Sequence, residues 1–382
     1  MIPRTLFSEE HAIFRDSVRR FIATEITPYH AQWEKDGAVP RALWRKAGAA
    51  GLLCTAVPED YGGMGGDFLM SLVVLEELGL AAASGPFFTL HSDIVAPYLV
   101  KYGSEAQKRR FLPGMASGEI IGAIAMTEPS GGSDLQRIRT GAIRDDDDYV
   151  INGQKVFISN GQLANLVIVA CKTDPREAAK GISLVLVETD RPGFASRRLE
   201  KIGLKAQDTS ELFFADVRVP ISNLLGGEGR GFAQLMTELP QERLIQAARA
   251  VIMCEAALGW TIDYVTGRQA FGQRIADFQN TQFKLAELKA EIAQARVFVD
   301  RLTELLLAGA LDAVDAAIAK LTTTELQGRV MDECLQLFGG YGYMWEYPIA
   351  RAWADARQSR IAGGTIEVMK HIIGRSLVGK NA

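Results

Sequence analysis

The chain has 382 residues, of which 48% are hydrophobic and 23% charged, and its formal net charge is −4 at pH 7. This length predicts two or three domains with ample core. The acidic balance and the scattered Lys and Arg exclude a nucleic-acid-binding protein and a general polyanion-binding protein. Four cysteines and four histidines lie far apart. Their dispersal predicts reduced thiols and no metal site.

The first part of the chain has helical periodicity. "SEEHAIFRDSVRRFIATEI" begins at a potential cap, Ser8, and "DFLMSLVVLEELGL" is apolar enough to be a buried helix. "SEAQKRRFLPGMASG" is a shorter helix that Ser104 could cap and that Pro113 should help to end. Together these segments predict an N-terminal helical domain over residues 1–118.

The middle of the chain has the composition of β-strands. The runs "IIGAIAM", "YVINGQKVFISN", "NLVIVACKT", "GISLVLVET" and "ELFFADVRVP" are separated by turn-forming Gly, Asn and Asp. The acidic "RDDDDY" at 144–149 is an exposed turn in this interpretation. Close spacing without intervening helices predicts a central antiparallel β domain, a barrel or a sandwich, over 119–227.

Helical periodicity returns after residue 228 and predicts an antiparallel C-terminal bundle over 228–382. The segments are "LIQAARAVIMCEAALGWTIDYV", "TQFKLAELKAEIAQARVFVDRLTELLLAG" and "LDAVDAAIAKLTTTELQGRVMDECLQLFGG". The predicted fold class is therefore α+β, ordered helix, β, helix. Neither a GxGxxG after an early strand nor a GxxxxGK[ST] occurs, which argues against Rossmann and P-loop folds.

The start "MIPRTLFSEEHAIF" lacks the apolar core of a signal peptide, and no run of eighteen apolar residues follows. We therefore expect a cytoplasmic protein that is not integral to a membrane. A mitochondrial matrix location would require that a transit peptide has been removed.

Two polar segments could bind a ligand. "AMTEPSGGSD", 125–134, offers backbone N–H groups and small hydroxyls to an anion or a heteroaromatic ring, although a plain Gly/Ser turn is an alternative. "RQAFGQRIADFQ", 268–279, combines arginines with Phe271, which suits a pyrophosphate beside a stacked base. The same cluster also suits an ordinary helix end.

Glu242 in "TELPQERLIQ" is a carboxylate among apolar neighbours, which raises a pKa towards the range of a general base. The alternative is an acidic residue in the first helical turn after Pro240, favoured by the helix dipole. In "RIAGGTIEVM", two glycines precede Thr365, a potential N-cap. Such a turn can be a simple junction or can present backbone N–H groups to an oxygen.

Taken together, the motifs resemble the acyl-CoA dehydrogenase family, and the long-chain branch most closely, over nearly the whole length. The resemblance rests on "LHSDIVAPY", "IGAIAMTEPSGGSD", "KVFISNG", "IGLKAQDTSELFFADVR", "MTELPQERL", "RQAFGQ", "QLFGGYGYMWEYPIA" and "GGTIEVMKHIIGR", which occur in the family's order and at its intervals. It implies the same three-part fold and an FAD cofactor that oxidises an acyl-CoA thioester to a trans-2-enoyl-CoA. Flavin N5 accepts the β-hydrogen as hydride, and a carboxylate removes the α-proton.

By the same resemblance, FAD lies between the β domain and the C-terminal bundle, with the ADP half reaching a neighbouring subunit. The implied FAD-binding residues are Ile124, Ala125, Met126, Thr127, Ser133, Phe157, Ile158, Ser159, Arg268, Phe271, Gln279, Gln336, Leu337, Phe338, Gly339, Gly340, Thr365, Ile366 and Glu367. Phe157 stands where many relatives have Trp, so a contact to the electron acceptor could differ.

Many relatives carry the catalytic glutamate where this chain has Gly363, whereas the long-chain and isovaleryl branches carry it at the position of Glu242. The resemblance therefore implies that Glu242 is the base and that the Gly363 amide serves the thioester oxygen. The implied substrate-binding residues are Ser133, Lys180, Gly181, Arg243, Tyr264, Gly363 and Gly364. The segment "SGPFF", 84–88, could deepen the acyl pocket, or Phe87 and Phe88 could shorten it, so chain length stays open.

The resemblance further implies a homotetramer, built as a dimer of dimers, that passes electrons to an electron-transfer flavoprotein. Three alternatives stay open at this point. One is a branched, terpenoid-type substrate such as citronellyl-CoA, and another is a catalytically silent flavin- or CoA-binding homologue. The third, an acyl-CoA oxidase, is disfavoured because such oxidases are usually much longer.

Overall fold

A computed structural model describes residues 3–379, and its helices begin where the sequence places caps. Ser8 precedes the first helix and its N–H donates to His11 Nδ1 at 3.1 Å. The Ser104 hydroxyl accepts from the Gln107 N–H at 3.2 Å. Both predicted starts are confirmed.

The N-terminal helices pack around two adjoining apolar cores. They are α1 (Glu9–Phe21), α2 (His30–Asp36), α3 (Arg41–Ala49), α4 (Phe68–Leu80), α5 (Ala96–Tyr102) and α6 (Glu105–Ala116), with π-helical segments at Ile22–Ile26 and Leu90–Val95. The expected end of α6 near Pro113 is wrong, because the helix continues to Ala116. Met115 and Ala116 are buried, and their burial outweighs the hydrogen bond that proline removes.

The central strands form one eight-stranded sheet in the order β6-β7-β3-β2-β4-β5-β8, with β1 beside β4. The strands are β1 (Gly122–Ala125), β2 (Gly141–Asp145), β3 (Asp148–Ser159), β4 (Leu166–Lys172), β5 (Ile182–Glu188), β6 (Phe194–Arg198), β7 (Thr209–Pro220) and β8 (Leu224–Leu225). The sheet is mostly antiparallel, as predicted, but β1 and β2 both pair with β4 in parallel. The acidic turn lies between β2 and β3, and both flanks pair as a hairpin.

Strand β4 explains why the middle of the chain is so apolar. Val167 and Val169 face a core inside the curled sheet, whereas Leu166 and Ile168 face the helices. A strand buried on both faces is apolar at consecutive positions instead of at alternate ones. The sheet is thus fixed against both helical parts, and the ends of β1 and β3 are held next to the C-terminal helices.

The C-terminal part contains three long helices and two short ones. They are α7 (Gly231–Gly267), α8 (Gln279–Leu307), α9 (Ala313–Phe338), α10 (Pro348–Ala356) and α11 (Ile366–Val378), with a small hairpin of β9 (Gln269–Ala270) and β10 (Gln273–Arg274) after α7. The structural transitions lie between Ala116 and Gly122 and between Leu225 and Gly231. Among the described residues, no helix has the combined length and hydrophobicity needed to cross a bilayer.

Candidate active site

A deep cleft lies where the ends of β1 and β3 face α7 and the loop before α11. Its cavity volume is about 410 Å³, within the ~300–1,000 Å³ of an ordinary small-molecule site. The lining residues are Phe87, Leu90, Ile94, Ile124, Met126, Thr127, Gly132, Ser133, Asp134, Leu135, Gln136, Phe157, Ile158, Ser159, Phe232, Met236, Leu239, Glu242, Arg243, Gln246, Gln358, Ala362, Gly363, Gly364, Val368 and Ile372.

Glu242 is the one carboxylate from α7 in this wall, and only 6% of it is exposed. The hydroxyl of Tyr98 donates to its Oε1 at 3.1 Å. Burial raises the pKa of Glu242 to about 7, the charge of Glu238 adds to this rise, and Tyr98 and Arg243 oppose it. A carboxylate with this pKa can accept a proton from a weak carbon acid near neutral pH.

The expectation that Glu242 stands in a first helical turn is wrong. Helix α7 begins at Gly231, so Pro240 lies inside it and Glu242 is about three turns from its start. A helix dipole acts within the first turn. It therefore cannot account for an acidic residue at this position, and the alternative explanation of Glu242 is lost.

Gly363 and Gly364 have left-handed backbone angles, with φ of +67° and +95°. Such angles strain any residue with a Cβ, which explains the paired glycines. A Cβ on Gly363 would lie 3.6 Å from Gln246 Cγ. Within residues 3–379, the Gly363 N–H has no hydrogen-bond acceptor. It is available to an oxygen in the cleft.

The same turn is anchored on both sides. The side chain of Thr365 caps α11 by accepting from the Val368 N–H at 3.4 Å, as predicted. The ammonium of the buried Lys320 donates to the Gly364 carbonyl. These two contacts hold the turn against α9 and fix the Gly363 amide.

A buried ion pair between Lys155 and Glu128 anchors the loop that follows β1. Lys155 Nζ donates to Glu128 Oε1 at 2.9 Å and to the Met126 carbonyl at 3.0 Å. The Glu128 carboxylate also accepts from the N–H groups of Arg139 and Thr140, at 2.6 and 2.9 Å. This network places Thr127 and the following glycines at the cleft instead of leaving them as a plain exposed turn.

Phe157 reaches the cleft because of an irregularity in the sheet. The pairing of β3 with β7 shifts register between Lys155 and Ile158, and Phe157 has a φ of +61°. The bulge turns its ring out of the sheet core, and 68% of Phe157 is exposed. An exposed aromatic beside a loop of free N–H groups and hydroxyls fits a planar, polar ring system.

Three family models cover almost the whole chain. The models for the N-terminal, middle and C-terminal domains of acyl-CoA dehydrogenase match residues 8–119, 123–217 and 229–378. The long-chain specific acyl-CoA dehydrogenase of Sus scrofa is 53% identical over 98% of this chain and 88% of its own length. This chain belongs to the acyl-CoA dehydrogenase family. It is therefore an oxidoreductase of the flavoprotein class.

Solved structures of the acyl-CoA dehydrogenase family have the same fold. An acyl-CoA dehydrogenase from Geobacillus kaustophilus has a TM-score of 0.97 and 50% identity, covering 98% of this chain and 100% of its own. A glutaryl-CoA dehydrogenase from Mycobacterium smegmatis, solved in complex with FADH2, has a TM-score of 0.91 and 30% identity, covering 99% and 96%. The predicted α+β fold is confirmed, and a flavin cofactor is supported.

The expected acyl-CoA dehydrogenase site is not gathered in one cleft of a single chain. Most predicted residues from the β domain line the cleft with Glu242, Arg243, Gly363 and Gly364. Ala125 instead faces the core inside the sheet, and the lining does not include Thr365, Ile366 and Glu367. Lys180 and Gly181 form a short turn between β4 and β5, outside the lining of the cleft.

A second, shallower cleft contains another predicted group. Arg268, Gln336, Leu337, Phe338, Gly339 and Gly340 line it, together with Tyr264, Ile275, Tyr341 and Met344. Tyr264 was expected beside the substrate, but its ring stacks on Phe338 with centroids 4.2 Å apart. Phe271, 96% exposed, lies in the hairpin turn after α7, and the exposed Gln279 is the first residue of α8. No single cleft of the described chain contains all of the predicted residues.

Sequence reasoning missed several lining residues and the hydrogen-bond partner of Glu242. One face of α7 carries Arg243 together with four further lining residues: Phe232, Met236, Leu239 and Gln246. Their helical spacing could have predicted that they share this face. Phe87 lines the cleft, whereas Phe88 packs on Trp44 with ring centroids 5.0 Å apart. Tyr98 ends the motif "LHSDIVAPY", but the sequence assigned it no role. Over residues 3–379, no cluster of His, Cys, Asp and Glu is placed to hold a metal ion.

Proposed function

We propose that this chain dehydrogenates long-chain or branched acyl-CoA thioesters to trans-2-enoyl-CoA, with FAD as cofactor and an electron-transfer flavoprotein as acceptor. The observation that carries the proposal is Glu242, a carboxylate with a pKa of about 7 in an apolar wall. Its side chain lies on the same face of α7 as Gln246, which approaches Gly363. Base and oxygen donor thus face one cleft.

In this reaction Glu242 takes the α-proton of the thioester as the α-carbon loses it. The free N–H of Gly363 donates to the thioester oxygen, on which negative charge develops. FAD, when bound, supplies the acceptor for the β-hydrogen, which leaves as hydride with two electrons. Loss of the proton and the hydride leaves the double bond, so atoms and electrons balance.

The cleft offers groups that fit a flavin. Phe157 provides an exposed aromatic face, and Thr127 and Ser133 provide hydroxyls beside it. Gly132 leaves room for close approach, since a Cβ there would lie 3.4 Å from Thr127 Cγ2. The ADP half of FAD would be bound by a second subunit, through its Arg268, its Phe271 and its residues Gln336 to Gly340. The dimer of dimers and the cytoplasmic location stay predictions from the sequence.

An anaerobic titration tests the proposal. Palmitoyl-CoA is added to the FAD-loaded protein and to its Glu242→Gln variant, and loss of the oxidised-flavin absorbance is followed. We expect bleaching of the wild type and at least a thousandfold slower bleaching of the variant, about the loss expected when a positioned base is removed. Branched and shorter thioesters, including citronellyl-CoA, complete the panel and define the substrate.

Three other outcomes would contradict parts of the proposal. Equal bleaching of both proteins would remove Glu242 from the mechanism. Failure of the whole panel with FAD bound would leave a silent homologue. Rapid reoxidation of the reduced flavin by oxygen would indicate an oxidase instead of a dehydrogenase.

A further inference from the structure

A smaller chamber continues from the inner end of the active-site cleft. Its cavity volume is about 40 Å³, room for a small terminal group, and Phe87, Gln246 and Gln358 line both spaces. Its other walls come from α4, α7, α9, α10 and residues 83–89. Because it shares these three residues with the cleft and lies beyond Glu242 along α7, the distal end of an acyl chain would reach it.

One face of α7 runs along this path. Glu242, Gln246, Arg249 and Met253 follow at intervals of four, three and four residues, which is the spacing of a single helical face. Glu242 and Arg249 are separated by roughly 10 Å along the axis at ~1.5 Å per residue. A zigzag carbon chain advances ~1.3 Å per bond, so about eight bonds cover that distance. If the second carbon of the acyl chain lies at Glu242, its tenth carbon lies at the height of Arg249 along α7.

The chamber is mostly apolar, but it also contains polar groups that a hydrocarbon tail would leave unpaired. Arg249 has no hydrogen bond or ion pair with any residue in 3–379, and its guanidinium carbon lies 5.2 Å from the Phe87 ring centroid. The Oε1 atoms of Gln246 and Gln327 are buried without partners, and both side chains line the chamber. Gln246 is 7% exposed and Gln327 4%. An alkane end would leave these two buried carbonyl oxygens unsatisfied.

The charge of the chamber favours a neutral polar group. Asp355 shares the lining with Arg249, and each charge stabilises the other. Burial raises the pKa of Asp355, against the opposing effects of the Leu204 N–H and of Arg249. A second carboxylate would lie close to Asp355 and be repelled. A hydroxyl can accept from Arg249 and donate to a glutamine carbonyl, so it satisfies both kinds of group.

We propose that the chamber binds a hydroxyl group near the distal end of the acyl chain, so that hydroxylated acyl-CoA thioesters of about ten carbons are preferred substrates. Arg249, Gln246 and Gln327 would determine this specificity. The inference rests on the proposed function, since the chamber is reached through the acyl-CoA cleft.

Three matched thioesters test the inference: decanoyl-CoA, 10-hydroxydecanoyl-CoA and the mono-CoA thioester of decanedioic acid. The rate of flavin reduction at low substrate is measured for each. We expect at least a tenfold preference for the hydroxylated chain over decanoyl-CoA, about the effect of one hydrogen bond to a charged group. The dicarboxylic thioester should react more slowly than the hydroxylated one.

Variants assign the preference to the chamber. Arg249→Leu should bring the ratio between hydroxylated and plain chains to about one. Gln327→Leu retains the charges of Arg249 and Asp355 and should lower the ratio in part. It replaces Arg249→Leu as the test if that variant does not fold. Met253→Leu, an apolar exchange in the same wall, should retain the ratio.

Equal rates, or a preference for decanoyl-CoA, would overturn the inference. A preference for the dicarboxylic chain would overturn the charge argument and its hydroxyl assignment. If palmitoyl-CoA reduces the flavin and none of the three thioesters does, the proposed function is supported and the hydroxyl inference is contradicted. If palmitoyl-CoA also does not reduce the flavin, the proposed function itself is contradicted.

Discussion

The hydroxyl of Tyr98 donates a 3.1 Å hydrogen bond to Oε1 of Glu242 within the wall of the cleft. Tyr98 is fully buried and Glu242 nearly so. Burial disfavours the ionised carboxylate, whereas this hydrogen bond favours it, and the pKa of Glu242 is about 7. The charged form of Glu242 is therefore favoured by a tyrosine from α5 that lies outside the lining of the cleft.

The first prediction follows from this pair. A base is active when deprotonated, so the rate of flavin reduction should rise with pH around a midpoint near 7. In Tyr98→Phe the midpoint should move upward by about half to one pH unit, because one hydrogen bond of ~1 kcal/mol no longer favours the charged form. Stopped-flow reduction from pH 5.5 to 9 measures this shift.

Tyr102→Phe is the matched control for that experiment. Tyr102 loses the same atom, but its hydroxyl donates to Glu238 Oε1 at 2.7 Å instead of to Glu242. Its midpoint should stay closer to that of the wild type than the midpoint of Tyr98→Phe does. A midpoint that is unchanged in Tyr98→Phe would show that this hydrogen bond does not set the titration.

The second prediction concerns the ion pair beneath the loop after β1. Lys155 is fully buried and Glu128 is 5% exposed. Removal of one partner leaves the other charge buried and unpaired, which typically costs ~3–5 kcal/mol. Lys155→Met should therefore lower the free energy of unfolding by about that amount and release FAD more readily, as measured by urea unfolding and by flavin retention on a desalting column.

The double variant Lys155→Met with Glu128→Gln separates charge from packing. Removing both charges should restore part of the lost stability, because no buried charge is left unpaired. A double variant less stable than Lys155→Met alone would mean that the contacts of Glu128 with Arg139 and Thr140, and not its charge, hold the loop.

The third prediction tests whether one site is built from two chains. Arg268→Gln should lose FAD, and Glu242→Gln should keep FAD but not reduce it. When the two variants are co-expressed, a mixed dimer has one site with an intact Glu242 and an intact Arg268 from its partner. Up to half of the wild-type activity per mixed dimer should return. Persistent inactivity of an isolated mixed dimer would place Arg268 in the site of its own chain.

Local signals in the sequence predicted the parts of the fold that depend on local interactions. Ser8, Ser104 and Thr365 cap the helices they precede, and Gly363 has the left-handed angle that its glycine indicates. Pro240 misled the same reasoning. A proline ends a helix when little else supports it, but α7 is packed on most sides and continues through it.

The contacts that the sequence did not predict join distant segments. Tyr98 is 144 residues from Glu242, and no spacing rule relates them. The exposure of Phe157 depends on a bulge whose register is set by β7. The position of Tyr264 depends on how α7 meets the end of α9, where Phe338 lies. The resemblance predicts the chemistry, whereas these arrangements depend on contacts between segments that lie far apart in the chain.

Helix α7 spans Gly231–Gly267 without interruption and is thus roughly 55 Å long at ~1.5 Å per residue. Along this single helix lie Glu242, the wall of the smaller chamber and the edge of the second cleft. A substitution that shifts α7 at one of these three places would therefore displace the other two. Under the proposed function, tail preference, chemistry and the contact with a second subunit are linked through one helix, and a lineage diverging from this protein could not retune one of them by moving α7 without shifting the others.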